Sequence, residues 1–187
     1  MNAACRPLGL QFRFLLLTLL IPPLGRAQHQ GEMLLVQGKL VAITPPPRFE
    51  KQPGPEVGIF APKGMPFDEA PAFIHLGFAS VCPKCEFTSL AAFIQDDVQN
   101  FKQRFPRGKA RLHSKFKRAK SSSPIPIWSF ESGEEFNAFE RMALVETGVK
   151  GQVLLLTLSG RTQKALDQYF PSLLAMLRSY KGVIALQ

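Results

Sequence analysis

The chain is short of the residues that most often announce a chemistry. Its 187 residues hold three cysteines and three histidines. So few cysteines cannot staple a small disulfide scaffold, and a packed apolar core must carry the fold. His29, His75 and His113 lack paired ligand spacing, whereas a structural zinc site needs four ligands and a catalytic one usually three from the protein. His75 reads better as a satisfied core or edge residue. A Walker loop and a G-x-G-x-x-G fingerprint are missing. Ser159 in "TLSGRT" does not sit in a G-x-S-x-G elbow. Carboxylate pairs Asp96–Asp97 and Glu134–Glu135 fit solvated helix surface and capping. No internal repeat occurs. Past the N-terminus no apolar run is long enough to span a bilayer, since "QVLLLTLSG" (152–160) has only strand length. Acidic residues are also scarce: 14 Asp and Glu face 23 Lys and Arg, for a net charge of +9.

What is present starts with a leader. Arg6 and Arg13 precede the apolar "FLLLTLLI" (14–21), and "PPLGRAQ" then supplies a helix break and small residues. This pattern predicts a signal peptide over 1–27, cleaved after Ala27, and a secreted or periplasmic protein; an uncleaved anchor is the alternative. Cys5 leaves with the leader. Cys82 and Cys85 then remain in an oxidising compartment, where disulfides persist.

Residues 28–56 are expected to hold an N-terminal strand or hairpin ("EMLLVQGKLVAIT") and a Pro-rich segment, with one domain over 57–187. "AFIHLGFA" (72–79) reads as a buried strand. Phe87, Leu90, Ala91, Ile94, Val98, Phe101 and Phe105 recur at three- and four-residue spacing, which predicts an amphipathic helix ended by Pro106. "ARLHSKFKRA" (110–119) reads as an edge strand guarded by lysines, and "PIPIWSF" (124–130) as another strand. "SGEEFNAFERMALVE" (132–146) is expected to be a helix, with Ser132 and Glu135 at capping-box spacing. A buried strand over 152–160, a last helix marked by Leu166 to Tyr180 with a kink or a start at Pro171, and a short strand over 182–186 complete the reading. Strands alternating with helices predict an α/β domain.

Cys82-Pro83-Lys84-Cys85 falls between the strand and the first predicted helix. It can be a redox pair, a metal half-site or a structural staple. At a helix start, unpaired N–H groups and the helix dipole favour a thiolate. Cys82 would then attack a partner disulfide and Cys85 would resolve it.

"FASVCPKCEFTSLAAF" resembles the thioredoxin superfamily, in particular its secreted TlpA-like branch, in strand, cysteine spacing and following helix. "TGVKGQVLLLTLSGRT" is similar to a later stretch of that family. The resemblance implies a thioredoxin-like fold, a central mixed sheet flanked by helices, with Cys82 and Cys85 as catalytic residues. It further implies no dissociable cofactor and a protein thiol or disulfide as partner. The family's cis-proline position falls on Gln152 or Val153, where proline is missing; in a second register it falls on Pro126.

A rival reading is non-catalytic: a secreted binding protein on the same fold, with a stable Cys82–Cys85 disulfide. Nine Lys or Arg crowd residues 101–120. Lys109, Arg111, Lys115, Lys117, Arg118 and Lys120 are candidates for binding an anionic glycan, a membrane surface or an acidic protein. A solvated face is the plainer explanation. Nucleic acid is the least favoured partner, because a secreted chain seldom meets it.

Overall fold

A computed structural model describes residues 32–53, 58–118, 123–133 and 139–185. The proposed leader and Lys120 lie outside them. Two sheets form. The smaller has the order β1-β2-β10, from Met33–Val36, Lys39–Ala42 and Gly182–Ala185. The larger has seven strands in the order β3-β4-β5-β9-β8-β7-β6. In chain order these are Phe49–Lys51, Gly58–Pro62, Ala72–Ser80, Lys109–Phe116, Ile125–Glu131, Phe139–Glu146 and Gln152–Gly160. Helix α1 (Leu90–Arg104) lies between β5 and β6, and α2 (Gln163–Ser179) between β9 and β10.

Strands β1 and β2 form the hairpin admitted by the sequence. Gln37 and Gly38 both take positive φ, 47° and 72°, as a two-residue type I′ turn requires. The Gln37 side chain accepts a hydrogen bond from the Phe78 N–H at 3.1 Å, which ties this turn to β5. Strand β2 pairs with β10 and β3 with β4, so residues 32–53 are woven into both sheets.

The centre of the large sheet is covered on both faces. On β9, Leu154, Leu156 and Leu158 point to one core with Ile74, Ile127, Leu166, Leu173 and Leu177. Val153 and Leu155 point to the other, with Ile94, Phe130, Met142 and Leu144. Helix α2 covers the first face and α1 the second. Burial on both faces explains why β9 reads as one continuous apolar run. Each helix starts at a side-chain cap: Ser89 Oγ accepts from the Ala92 N–H at 3.1 Å, and Thr162 Oγ1 from the Ala165 N–H at 3.0 Å. Helix α2 thus begins well before Pro171, whose exposed ring stands inside it.

The expected thioredoxin-like α/β fold is corrected here. Every ladder between named strands is antiparallel, whereas the expected sheet was mixed. The predicted helix over 132–146 is the main cause. Residues 139–146 are strand β8, and 134–138 lie outside the described residues. With β8 a strand, β6 through β9 run as a meander with no helix between them among the described residues, and the predicted strand–helix alternation is lost.

Candidate functional site

The cysteines sit in a small closed loop rather than at a helix start. Strand β5 ends at Ser80, and the Val81 N–H donates to the Gly151 carbonyl at 2.9 Å. The Cys82 N–H donates to the Phe87 carbonyl and the Cys85 N–H to the Cys82 carbonyl, both at 2.9 Å. Cys82 and Cys85 are joined in a disulfide, with Cα atoms 4.9 Å apart. Below this loop lies the turn between β8 and β9. Gly151 has φ 75°, and a side chain there would bring its Cβ to 3.1 Å from Cys82 Cβ. Glycine meets both demands, the left-handed backbone and the close approach.

This geometry corrects the redox assignment. Helix α1 starts at Leu90 behind its cap Ser89, so its free N–H groups and dipole lie beyond the loop from Cys82. The physical cause proposed for a lowered thiol pKa is missing. The spacing places Phe87 in the helical stripe, but it belongs to the loop, where it bridges to Val81 and meets the Phe93 ring edge-on at 5.2 Å. The two sulfurs are bonded to each other, the state shared by a staple and an oxidised pair. His75 lies in β5 opposite Thr157, and burial lowers its pKa. Among the described residues no three His, Cys, Asp or Glu side chains gather as a metal site.

The basic candidates divide over an edge. Strand β6 is the last strand of the large sheet, as its lysines suggested. Its pairing with β7 shifts between Leu112 and Ser114, which makes His113 the bulged residue. The His113 ring packs against Phe170 of α2 at 5.2 Å. Lys109 and Arg111 lie opposite Glu131 and Ser129, on the α2 side of the sheet, while Lys115 lies opposite Pro126 on the α1 side. Arg111 donates to Glu131 at 3.0 Å but keeps 63% of its side chain exposed. Lys109, Lys115 and Lys117 are exposed. Arg118 is turned elsewhere: its guanidinium donates to the Tyr180 carbonyl at 2.5 Å and stacks on that ring at 5.2 Å. The candidates therefore line both sides of an edge, and they do not share one face. At its start the edge is extended by a concavity of about 480 Å³ bearing Arg104, Arg107 and Lys109. Leu112 is 43% exposed in the middle of β6.

Two charged arrangements escaped the sequence reading. Arg141, in β8, is buried and donates to Asp167 of α2 at 2.5 Å, with its guanidinium 4.4 Å from the centre of the Phe170 ring. Hydrogen bonds from Gln163 and Arg141 hold the Asp167 carboxyl below its usual range. Glu140, on the α1 side, accepts from the Ser159 hydroxyl at 3.1 Å. Burial pushes its pKa up, against the Ser159 hydrogen bond and the Arg104 charge. Asp97 of α1 is raised too, by burial and then by Glu140 and Asp96. Long-range strand pairing creates both groups, and no local motif marks them.

No protein-family model and no curated protein matches the chain. Among solved structures it is similar to the Ran-binding protein Mog1p of Saccharomyces cerevisiae, with 9% identity and a TM-score of 0.49 over 81% of this chain and 94% of that one. It is likewise similar to cyanobacterial PsbP (CyanoP) from Synechocystis sp., with 11% identity and a TM-score of 0.49 over 86% and 99%. A mutant form of Mog1 matches with 10% identity and the same TM-score, over 81% and 95%. These are Mog1 and PsbP proteins, whereas the sequence pointed to the thioredoxin superfamily; no functional residue is carried over from them.

Proposed function

We propose that this chain is a non-catalytic binding module that takes an acidic, extended segment of a protein partner along the edge strand β6. The observation that carries the reading is the exposed edge itself, with Lys109, Arg111 and Lys115 on it and Lys117 just beyond. An edge strand offers unpaired N–H and C=O groups to any incoming strand. Its lysines repel neutral or basic strands, which lose lysine hydration without compensation. An acidic strand reverses that balance: its carboxylates meet the lysines while its backbone completes the ladder. Because side chains alternate along a strand, a partner with carboxylates on both sides suits cations divided between both sides of β6. Exposed Leu112 adds an apolar contact. A glycan has no backbone ladder to offer and would use the charges alone.

The test is fluorescence anisotropy with labelled poly-L-glutamate and, separately, labelled heparin. Poly-L-glutamate binding that weakens with salt and falls about tenfold or more, a loss of about 1.4 kcal/mol, in Lys109→Gln/Lys115→Gln/Lys117→Gln supports the reading. Binding of heparin alone overturns it in favour of a glycan.

A further inference from the structure

We infer that a second pocket, at the C-terminal end of α2, binds a phosphate group carried on a small apolar moiety. This inference is independent of the β6 reading and uses different residues. The pocket encloses about 1020 Å³, and Lys63, Arg118, Arg178 and Lys181 line it. Glu32 is the carboxylate on its wall. The carbonyl end of α2 adds about half a negative charge. Four cations against these leave an excess of about two and a half positive charges, which matches a phosphate dianion better than a carboxylate. Arginine in particular meets phosphate with paired N–H donors.

The cations come from separate parts of the chain, and for the two lysines it is the backbone that is held in place. The Lys63 N–H donates to the Arg48 carbonyl at 3.0 Å, and the Lys181 N–H to the Ala42 carbonyl at 2.8 Å. Arg118 is fixed on the Tyr180 carbonyl and ring, and the Arg178 guanidinium lies 5.6 Å from the centre of the Phe116 ring. Positioning before the ligand arrives lowers the cost of binding it. A second observation concerns Tyr180, which also lines the pocket. The residue is only 3% exposed, and its ring is the surface on which Arg118 stacks at this wall. The pocket is far larger than a phosphate, and Pro45, Pro46, Pro47 and Phe49 form the remaining wall. That wall calls for an apolar body on the ligand, supplied by a soluble organic phosphate or by a lipid.

Calorimetric titration of the full chain with phenyl phosphate tests the inference, with inorganic phosphate and phosphatidic-acid vesicles as separate arms. Saturable phenyl phosphate binding with Kd below about 1 mM, weakened tenfold or more in Arg178→Gln/Lys181→Gln and unchanged in Lys109→Gln/Lys115→Gln, is the expected result. Should the first variant lose its fold by circular dichroism, Lys63→Gln in its exposed turn replaces it, with an expected loss of about threefold. Vesicle binding without phenyl phosphate binding, lost in the same variants, assigns the site to a lipid headgroup. No saturable heat in any arm, or equal affinity in the pocket variants, overturns the site. Inorganic phosphate binding as tightly as phenyl phosphate overturns the apolar moiety.

Discussion

Removing the Cys82–Cys85 disulfide should cost stability and nothing else. The bond closes a loop of sequence separation three, four residues counted inclusively. In the chain-entropy account a loop of that size takes about 6 cal/mol/K from the unfolded ensemble, or about 2 kcal/mol at 25 °C. For a chain of this size that is a fall in Tm of roughly 4–8 °C. Cys82→Ala/Cys85→Ala is the right perturbation, because the loop's backbone hydrogen bonds survive it. Those bonds, from Val81, Cys82 and Cys85, hold the loop to Gly151 and to Phe87 in either case. Urea unfolding of the oxidised protein and the variant measures the difference. The midpoint should fall with little change in slope, and poly-L-glutamate affinity should not move. A loss above about 5 kcal/mol would refute the reasoning, since it exceeds what closing so short a loop can supply. Unchanged stability would refute it as well.

Three other outcomes follow from the same geometry. Burial raises the folded pKa of Glu140, so between the unfolded and folded values the folded state binds the extra proton. Stability then falls as pH rises out of the ordinary carboxylate range; Glu140→Gln should flatten that part of a Tm-against-pH profile and raise Tm at pH 7, and an unchanged profile would contradict it. Thr162→Ala leaves the Ala165 N–H without its cap and should cost about 1 kcal/mol in thermal or urea unfolding, while a stabilised variant would contradict the assignment. N-terminal sequencing of protein exported by a secreting host should begin at Gln28, within a few residues; an intact Met1 start in the exported fraction would remove the leader.

The sequence was legible where a segment's own pattern matched its surroundings. Strand β5, the body of α1, edge strand β6, β9 and α2 were read within a few residues, because each carries its period or its flanking turn residues locally. Strand β8 was not. Met142 and Leu144 face α1 while Ala143 and Val145 face the α2 side, so a strand buried on both faces shows an unbroken apolar run. Period alone cannot separate that run from a helix, and Ser132 with Glu135 has the spacing of a helix cap. One wrong element changed the topology, because the strand order depends on pairings far apart in sequence. The candidate site fared similarly. The cysteine spacing and the basic run are local and were found. The position of α1's first turn, the division of cations over two sides of an edge, and the grouping of Lys63 with Arg178 arise only when the sheet assembles.

The measurement that tests the central claim most directly is the salt-dependent affinity of poly-L-glutamate for the chain and for Lys109→Gln/Lys115→Gln/Lys117→Gln. Binding that weakens steeply between about 50 mM and 500 mM salt, and about tenfold or more in the triple variant, is what an acidic strand on β6 predicts. Binding that ignores salt, or that the triple variant retains in full, contradicts it.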